Sequence, residues 1–231
     1  MAKHLKQLNS AHKYPSISMP RRTAMPKTLT PFPPHTLDTI ADTLAHKGYI
    51  ILKNIFSHKQ LLQLQQRLQH LDESHWKPAG IGRHQNFQLQ ENIRSDHISW
   101  IDPTNDNPVE RDYLNNMEIL RSGLNQRLFM GLFDFECHFA RYQKGSFYQK
   151  HIDTLKGSSN RVLSTILYLN TNWQKADSGE LLIYPEKGEQ VIERVLPEMG
   201  TQVIFLSEQF PHEVLPANRL RLSLTGWFRV S

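Results

Sequence analysis

His151-Ile-Asp153 is a pair whose residue types and spacing could do chemistry. In an extended strand, side chains two apart point to the same side, so an imidazole and a carboxylate at this spacing can converge on one ion. Spacing alone says little. With twelve histidines in 231 residues and aspartate nearly as common, about half such a pair is expected by chance. A second copy, His70-Leu-Asp72, lies on a leucine-striped segment that reads as a helix. There residues two apart diverge by roughly 200° and cannot share a metal.

Pro211-His212-Glu-Val offers a third ligand to the first pair. Two histidines and one carboxylate occupy one face of an octahedral ion and leave three positions open, the arrangement of non-heme iron(II) oxygenases. Zinc more often takes a tetrahedral site, and a structural zinc wants a fourth protein ligand. The single cysteine, Cys137, has no obvious partner for that purpose. The following strand adds weight. Arg221, Ser223, Thr225 and Trp227 recur at period two, while Leu222, Leu224 and Phe228 take the opposite face. An arginine pointing inward needs an anionic partner, because a buried unpaired charge is costly. Its planar fork matches a carboxylate at two points. A small dicarboxylate that chelates the metal at one end and meets arginine at the other satisfies both. Arg219 shares the parity and competes for the role.

These side chains need a scaffold. Leu37, Ile40, Ala41 and Leu44 predict a helix with Thr36 at its start and Gly48 at its stop. A strand is expected over 49–56. A second helix opens at Ser57 and carries Leu61, Leu64, Leu68 and Leu71, and a third runs from about Val109 to Leu128. The stretch 77–91 has neither period and reads as a loop. After Phe133 nearly everything reads as strand, most clearly 161–170, 180–184, 201–207 and 221–230. Helices followed by about eight short strands argue for an α+β chain built on a jelly roll supported by N-terminal helices.

Composition bounds the function. Hydrophobic residues make up 39% and charged residues 21%, enough for a real core. No apolar run approaches the ~20 residues of a membrane span, and one cysteine excludes an intrachain disulfide. The first residues lack the apolar segment of a secretory signal, so the expected location is cytoplasmic. The net charge of +5 is concentrated in the first 37 residues, which carry six basic side chains, no acid and six of the thirteen prolines. The rest has a net charge of −1, which argues against a nucleic-acid cleft. Residues 1–35 are therefore read as a basic, proline-rich tail and 36–231 as one domain, with helices and a covering loop over 36–130 and the strand core over 131–231. The tail itself admits three readings: a solvated extension, a weak nucleic-acid contact, or a segment upstream of a start at Met19 or Met25.

Three segments carry a resemblance. They are Tyr142-Gln-Lys-Gly-Ser-Phe-Tyr-Gln-Lys-His-Ile-Asp153, Arg161-Val-Leu-Ser-Thr-Ile-Leu-Tyr-Leu-Asn170, and His212-Glu-Val-Leu-Pro with Arg221-Leu-Ser-Leu-Thr-Gly-Trp-Phe-Arg229. Together with Arg94-Ser-Asp-His-Ile-Ser-Trp100, the chain over about 37–230 resembles the 2-oxoglutarate- and Fe(II)-dependent prolyl 4-hydroxylases. It is most similar to the branch of the animal oxygen-sensing enzymes and their bacterial relatives. The resemblance implies a double-stranded β-helix with His151, Asp153 and His212 on iron. It places Arg221 and Tyr168 on the distal carboxylate of 2-oxoglutarate, and Tyr142, Thr225 and Trp227 in the cosubstrate pocket. Asp96, Trp100 and Arg161 fall at the substrate entrance.

The implied reaction hydroxylates a prolyl residue of a protein, with dioxygen consumed and succinate and carbon dioxide released. Ascorbate is an accessory reductant, and a translation factor is a target suggested by bacterial relatives. The same cofactors acting on another residue or a small molecule, and a non-catalytic binding or regulatory jelly roll, are the alternatives. Ser178-Gly-Glu-Leu replaces the family's Gly-Gly pair, Leu182 stands where the animal enzymes carry arginine, and the covering finger, 77–90, matches mainly through Gly80-Ile-Gly-Arg83. These departures bear on the substrate and leave the metal ligands and Arg221 untouched.

Overall fold

A computed structural model describes residues 30–80, 90, 92–154 and 160–231. Most of the expected tail and of the covering finger lies outside the described residues. Helix α1 (Pro34–Lys47) buries Leu37, Ile40, Ala41 and Leu44, the stripe that the spacing predicts. Its start differs from expectation. Pro33 is the N-cap, Pro34 opens the first turn, and Thr36 caps nothing. Proline suits that place because its φ is already helical and its missing N–H would find no partner there. Phe32 is buried edge-on against Phe56, so ordered packing begins ahead of residue 36. Gly48 ends the helix at φ 76°, a left-handed value that glycine adopts without strain.

Strand β1 (Tyr49–Lys53) is shorter than the run of apolar residues suggests, because Asn54 turns left-handed at φ 59°. Helix α2 (His58–Gln69) starts with a reciprocal cap: Ser57 Oγ accepts from the Gln60 N–H while the Gln60 side chain accepts from the Ser57 N–H. The rejected His70–Asp72 pair does ordinary work at chain turns. His70 ends α2, and the Asp72 carboxylate accepts the Ser74 N–H. Helix α3 (Pro108–Leu128) is capped by Asn107 and buries Met117, Leu120 and Leu124.

Ten further strands follow β1. They are β2 (Lys77–Pro78), β3 (His97–Trp100), β4 (Asp134–Tyr142), β5 (Tyr148–His151), β6 (Arg161–Tyr168), β7 (Leu181–Ile183), β8 (Glu193–Val195), β9 (Thr201–Leu206), β10 (His212–Val214) and β11 (Arg221–Arg229). They form a larger sheet in the order β1-β9-β6-β11-β4-β3-β2 and a smaller one in the order β5-β10-β7-β8. Every pairing within the two sheets is antiparallel. This is the double-stranded β-helix, the jelly roll expected for the chain.

Strand alternation divides the core into two layers. Leu222, Leu224 and Phe228 of β11 join Leu163, Leu167 and Ile204 against the helix stripes. Each such side chain contributes about 1.5–3 kcal/mol on burial, so this layer fastens the helices to the larger sheet. Gly226 lies on that same face, where a Cβ would collide with the Phe135 ring. The opposite layer lies between the sheets. There Tyr142, Ile166, Tyr168, Val203 and Phe205 of the larger sheet meet Leu181, Ile183, Val195 and Val214 of the smaller. The site opens into this second layer.

Candidate active site

His151 ends β5 and is the direct partner of His212 on β10, so antiparallel register places both imidazoles together. Their ring centroids are 4.2 Å apart. Asp153 lies two residues past the end of β5, in a bend rather than in the strand. Its Oδ1 is 3.7 Å from His151 Nε2 and its Oδ2 3.7 Å from His212 Nε2. One ligand atom from each of the three residues falls within 4.8 Å of the others, a cluster able to hold a metal ion.

The surroundings fix which atoms face the centre. His151 Nδ1 lies 2.8 Å from the Gln149 carbonyl and His212 Nδ1 2.9 Å from the Phe210 carbonyl. A carbonyl only accepts, so each Nδ1 carries a proton and each Nε2 is the nitrogen left to face the centre. Ser164 Oγ on β6 donates to Asp153 Oδ2 at 2.6 Å and lies 2.9 Å from Ser207 Oγ. Burial would raise the Asp153 carboxyl pKa. The imidazoles of His212 and His151, the Ser164 hydroxyl and the Trp227 indole outweigh it and hold the carboxylate well below its usual range. Burial lowers the His151 pKa, and the adjacent His212 lowers it further, so its imidazole is neutral. Two imidazoles beside an ionised carboxylate are the donor types that a divalent cation takes.

Ser164→Ala removes a hydroxyl that orients a metal-facing carboxylate. It is expected to weaken cobalt(II) binding about 10-fold, the lower end for losing such a partner, at about 1 kcal/mol of stability. A cobalt titration and a thermal melt measure the two effects.

Arg221 opens β11 and is 1% exposed. Its Nε donates to the Gly179 carbonyl at 2.9 Å, and its guanidinium lies over the rings of Tyr142 (4.8 Å) and Tyr168 (4.9 Å). Among the described residues no carboxylate pairs with it. The buried Tyr168 hydroxyl likewise makes no regular hydrogen bond among them. A buried cation beside an unpaired hydroxyl, in a layer shared with the triad, fits an anionic ligand reaching in from the metal. Tyr142 lies between the two ends. Burial and the Asp96 carboxylate raise its pKa, opposed by Arg94 and Arg221. Arg219 precedes β11, pairs with Asp177 at 3.5 Å and is well exposed.

Trp227 and Thr225 share the parity of Arg221 on β11, Thr225 opposite both Ile166 and His138. Trp227 is buried. Arg161 stacks over its ring at 3.5 Å while pairing with Glu136 at 2.8 Å. Trp100 is 51% exposed, with its ring 6.2 Å from Trp227 and edge-on to His138 at 4.9 Å. Trp100, Trp227 and Arg161 thus form a shelf that reaches Asp153 through Trp227. Asp96 departs from expectation: it is 1% exposed, and both its oxygens are taken by Arg94, so it presents no group to an entrance. Sequence reasoning overlooked Ser207, just past the end of β9, Arg94, in the segment ahead of β3, and Tyr148, three residues before His151 on β5.

A model of the 2OG-Fe(II) oxygenase superfamily matches residues 137–229. Over 184 residues, 76% of this chain, it is 29% identical to the hypoxia-inducible factor prolyl hydroxylase of Caenorhabditis elegans. The chain spans about a quarter to a third of the length of the curated relatives it matches. Among solved structures it is similar to a Pseudomonas putida prolyl-4-hydroxylase, with 40% identity and a TM-score of 0.75 over 84% of this chain and 99% of that one. A Trichoplax adhaerens prolyl hydroxylase in complex with a hypoxia-inducible factor oxygen degradation domain peptide fragment gives a TM-score of 0.76 at 27% identity, over 85% of this chain and 90% of that one.

Proposed function

This chain belongs to the 2OG-Fe(II) oxygenase superfamily, and from that premise we propose that it hydroxylates a prolyl residue of a protein, consuming 2-oxoglutarate and dioxygen and releasing succinate and carbon dioxide. The observation that carries the reading is Arg221, a buried cation with no carboxylate partner among the described residues, in the same inter-sheet layer as the triad. With iron bound, the site would let dioxygen, the oxidant, break an aliphatic C–H bond, while 2-oxoglutarate would give up two electrons on becoming succinate and carbon dioxide.

The chain's own side chains supply the rest. His151, Asp153 and His212 would hold the metal. Arg221 and the Tyr168 hydroxyl receive the distal carboxylate of 2-oxoglutarate. Tyr142 and Thr225 wall the space between, and the apolar inter-sheet layer excludes water. The shelf of Trp100, Trp227 and Arg161 beside Asp153 offers aromatic faces and a cation to a peptide at the mouth. The peptide bound by the Trichoplax relative and the 40% identity to a prolyl-4-hydroxylase support a prolyl target.

A cytoplasmic location and ascorbate as accessory reductant belong to this proposal. A translation factor is the first protein to test. The experiment supplies heavy dioxygen, Fe(II) and 2-oxoglutarate to the full chain with proteins of the source cell. Heavy oxygen on a proline, in step with succinate, is the expected result. Label on another residue, or succinate without label in any protein, overturns the prolyl assignment.

A further inference from the structure

Arg94 is nearly buried, with 13% of its side chain exposed, and each of its three guanidinium nitrogens has an acceptor. Asp96 takes Nε at 2.8 Å and Nη2 at 2.7 Å, and the Gly80 carbonyl lies 3.3 Å from Nη1. With its edges held, the guanidinium has its faces left to offer. It lies over the Tyr148 ring, with Cζ 4.2 Å from the centroid. Tyr148 also stacks on the His151 imidazole, with centroids 3.5 Å apart and planes 12° from parallel. Two planar groups at those distances cannot share one face of a ring. Tyr148 is therefore clamped between a fixed cation and a residue of the triad.

Strict alternation would forbid this arrangement, because residues three apart on a strand point to opposite faces. The register supplies the exception. His212 and Val214, two apart on β10, face His151 and Tyr148, three apart on β5, so β5 carries one extra residue. Such a bulge re-aims a side chain, and bulges recur beside active sites. The stack is also unusual in itself, since parallel face-to-face rings are less favoured than offset or edge-on ones. A guanidinium on the far face draws electron density from the phenol and makes the sandwich tenable.

His151 has need of such a restraint. His212 is held by the Phe210 carbonyl and by Phe205 packed against its ring at 4.8 Å. Among the described residues the His151 ring makes one hydrogen bond, to the Gln149 carbonyl, at the end of a strand. A single hydrogen bond at Nδ1 leaves the ring free to swing about that contact.

We propose that Arg94 and Tyr148 are positioning residues that fix the plane of the His151 imidazole for metal binding, with Asp96 locking Arg94 in place. This rests on the triad being the metal site proposed above. The test titrates cobalt(II) into the metal-free full chain and follows the visible ligand-field band, whose position and intensity report coordination geometry. Tyr148→Leu removes the ring face and is expected to weaken binding about 10-fold and to alter the band. Tyr148→Phe keeps the ring and is expected to stay within about twofold of the parent, since the stack on His151 uses the ring face. The pair Arg94→Met with Asp96→Asn removes the cation without stranding a buried carboxylate, and about threefold weaker binding is expected of it.

Melting curves establish that each variant is folded, and the double variant carries the test if Tyr148→Leu is not. Binding and band unchanged in folded Tyr148→Leu overturn the proposal, as does Tyr148→Phe falling as far as Tyr148→Leu. In the double variant, unchanged cobalt affinity overturns the role of Arg94. A parent protein that binds no cobalt overturns the metal site itself, and this inference with it.

Discussion

Arg221→Ala is expected to raise the 2-oxoglutarate concentration needed for half-saturation at least ~100-fold. Truncating one member of a buried, hydrogen-bonded charge pair costs about 2–5 kcal/mol, and ~1.4 kcal/mol is a factor of ten in affinity. The burial of this guanidinium and its lack of a carboxylate among the described residues place it at the upper part of that range. Arg219→Ala, two residues away, is expected to change the requirement by less than about twofold, because an exposed pair such as Arg219–Asp177 contributes little.

Stability separates a binding role from a structural one. A structural arginine would cost the ligand-free protein its melting temperature when replaced. Here Arg221→Met, which keeps apolar volume and removes a buried charge, is expected to leave the ligand-free melt unchanged or higher. The upward shift that 2-oxoglutarate gives the parent should be lost. A melt that falls sharply without ligand while the ligand shift survives would make Arg221 part of the core instead.

His212→Ala is expected to abolish tight metal binding, with an affinity loss above ~100-fold, and with it succinate formation. Loss of a supporting partner costs about 10–100-fold in comparable sites, and a direct ligand exceeds that. His212 is 4% exposed with its ring against Phe205, so the variant leaves a small cavity. The fold should survive this with a loss of about 1–3 kcal/mol, because the two-layer core does not depend on one imidazole. Cobalt or iron(II) titration, beside far-ultraviolet circular dichroism, measures both. His70→Ala is the control. That histidine has a carboxylate at the same spacing but stands exposed at the end of α2, so metal affinity should not change. Retained tight binding in folded His212→Ala would remove it from the triad.

Much of this site was legible before any coordinates. The alternation Arg221-Leu-Ser-Leu-Thr with Trp227 and Phe228 assigns each residue of β11 to its layer, because β periodicity is local and the two faces differ sharply in chemistry. The stripes of α1 and α2 and the stop at Gly48 follow from equally local rules. Rejection of His70–Asp72 rested on a helical angle that the structure does not bear out, because α2 ends at Gln69 and both residues serve the turn that follows it. The choice of Arg221 over Arg219 lay beyond local rules. Both share a parity, and only the fold distinguishes a buried Arg221 opposite Tyr142 from an exposed Arg219.

The tertiary structure alone determined what depended on pairing between distant strands. His212 meets His151 because β10 and β5 are neighbours in the smaller sheet, a fact of register that no local pattern contains. Ser207 reaches the Ser164–Asp153 contact from β9's end for the same reason. Asp96 looked like an entrance residue by its place in a motif, yet Arg94 draws it into the interior, since a buried guanidinium must be matched. Tyr148 and His151 stack only because one extra residue in β5 reverses the alternation by which the strand was read. Periodicity assigns a side chain to a face; a bulge changes that face, and its position is set by the partner strand.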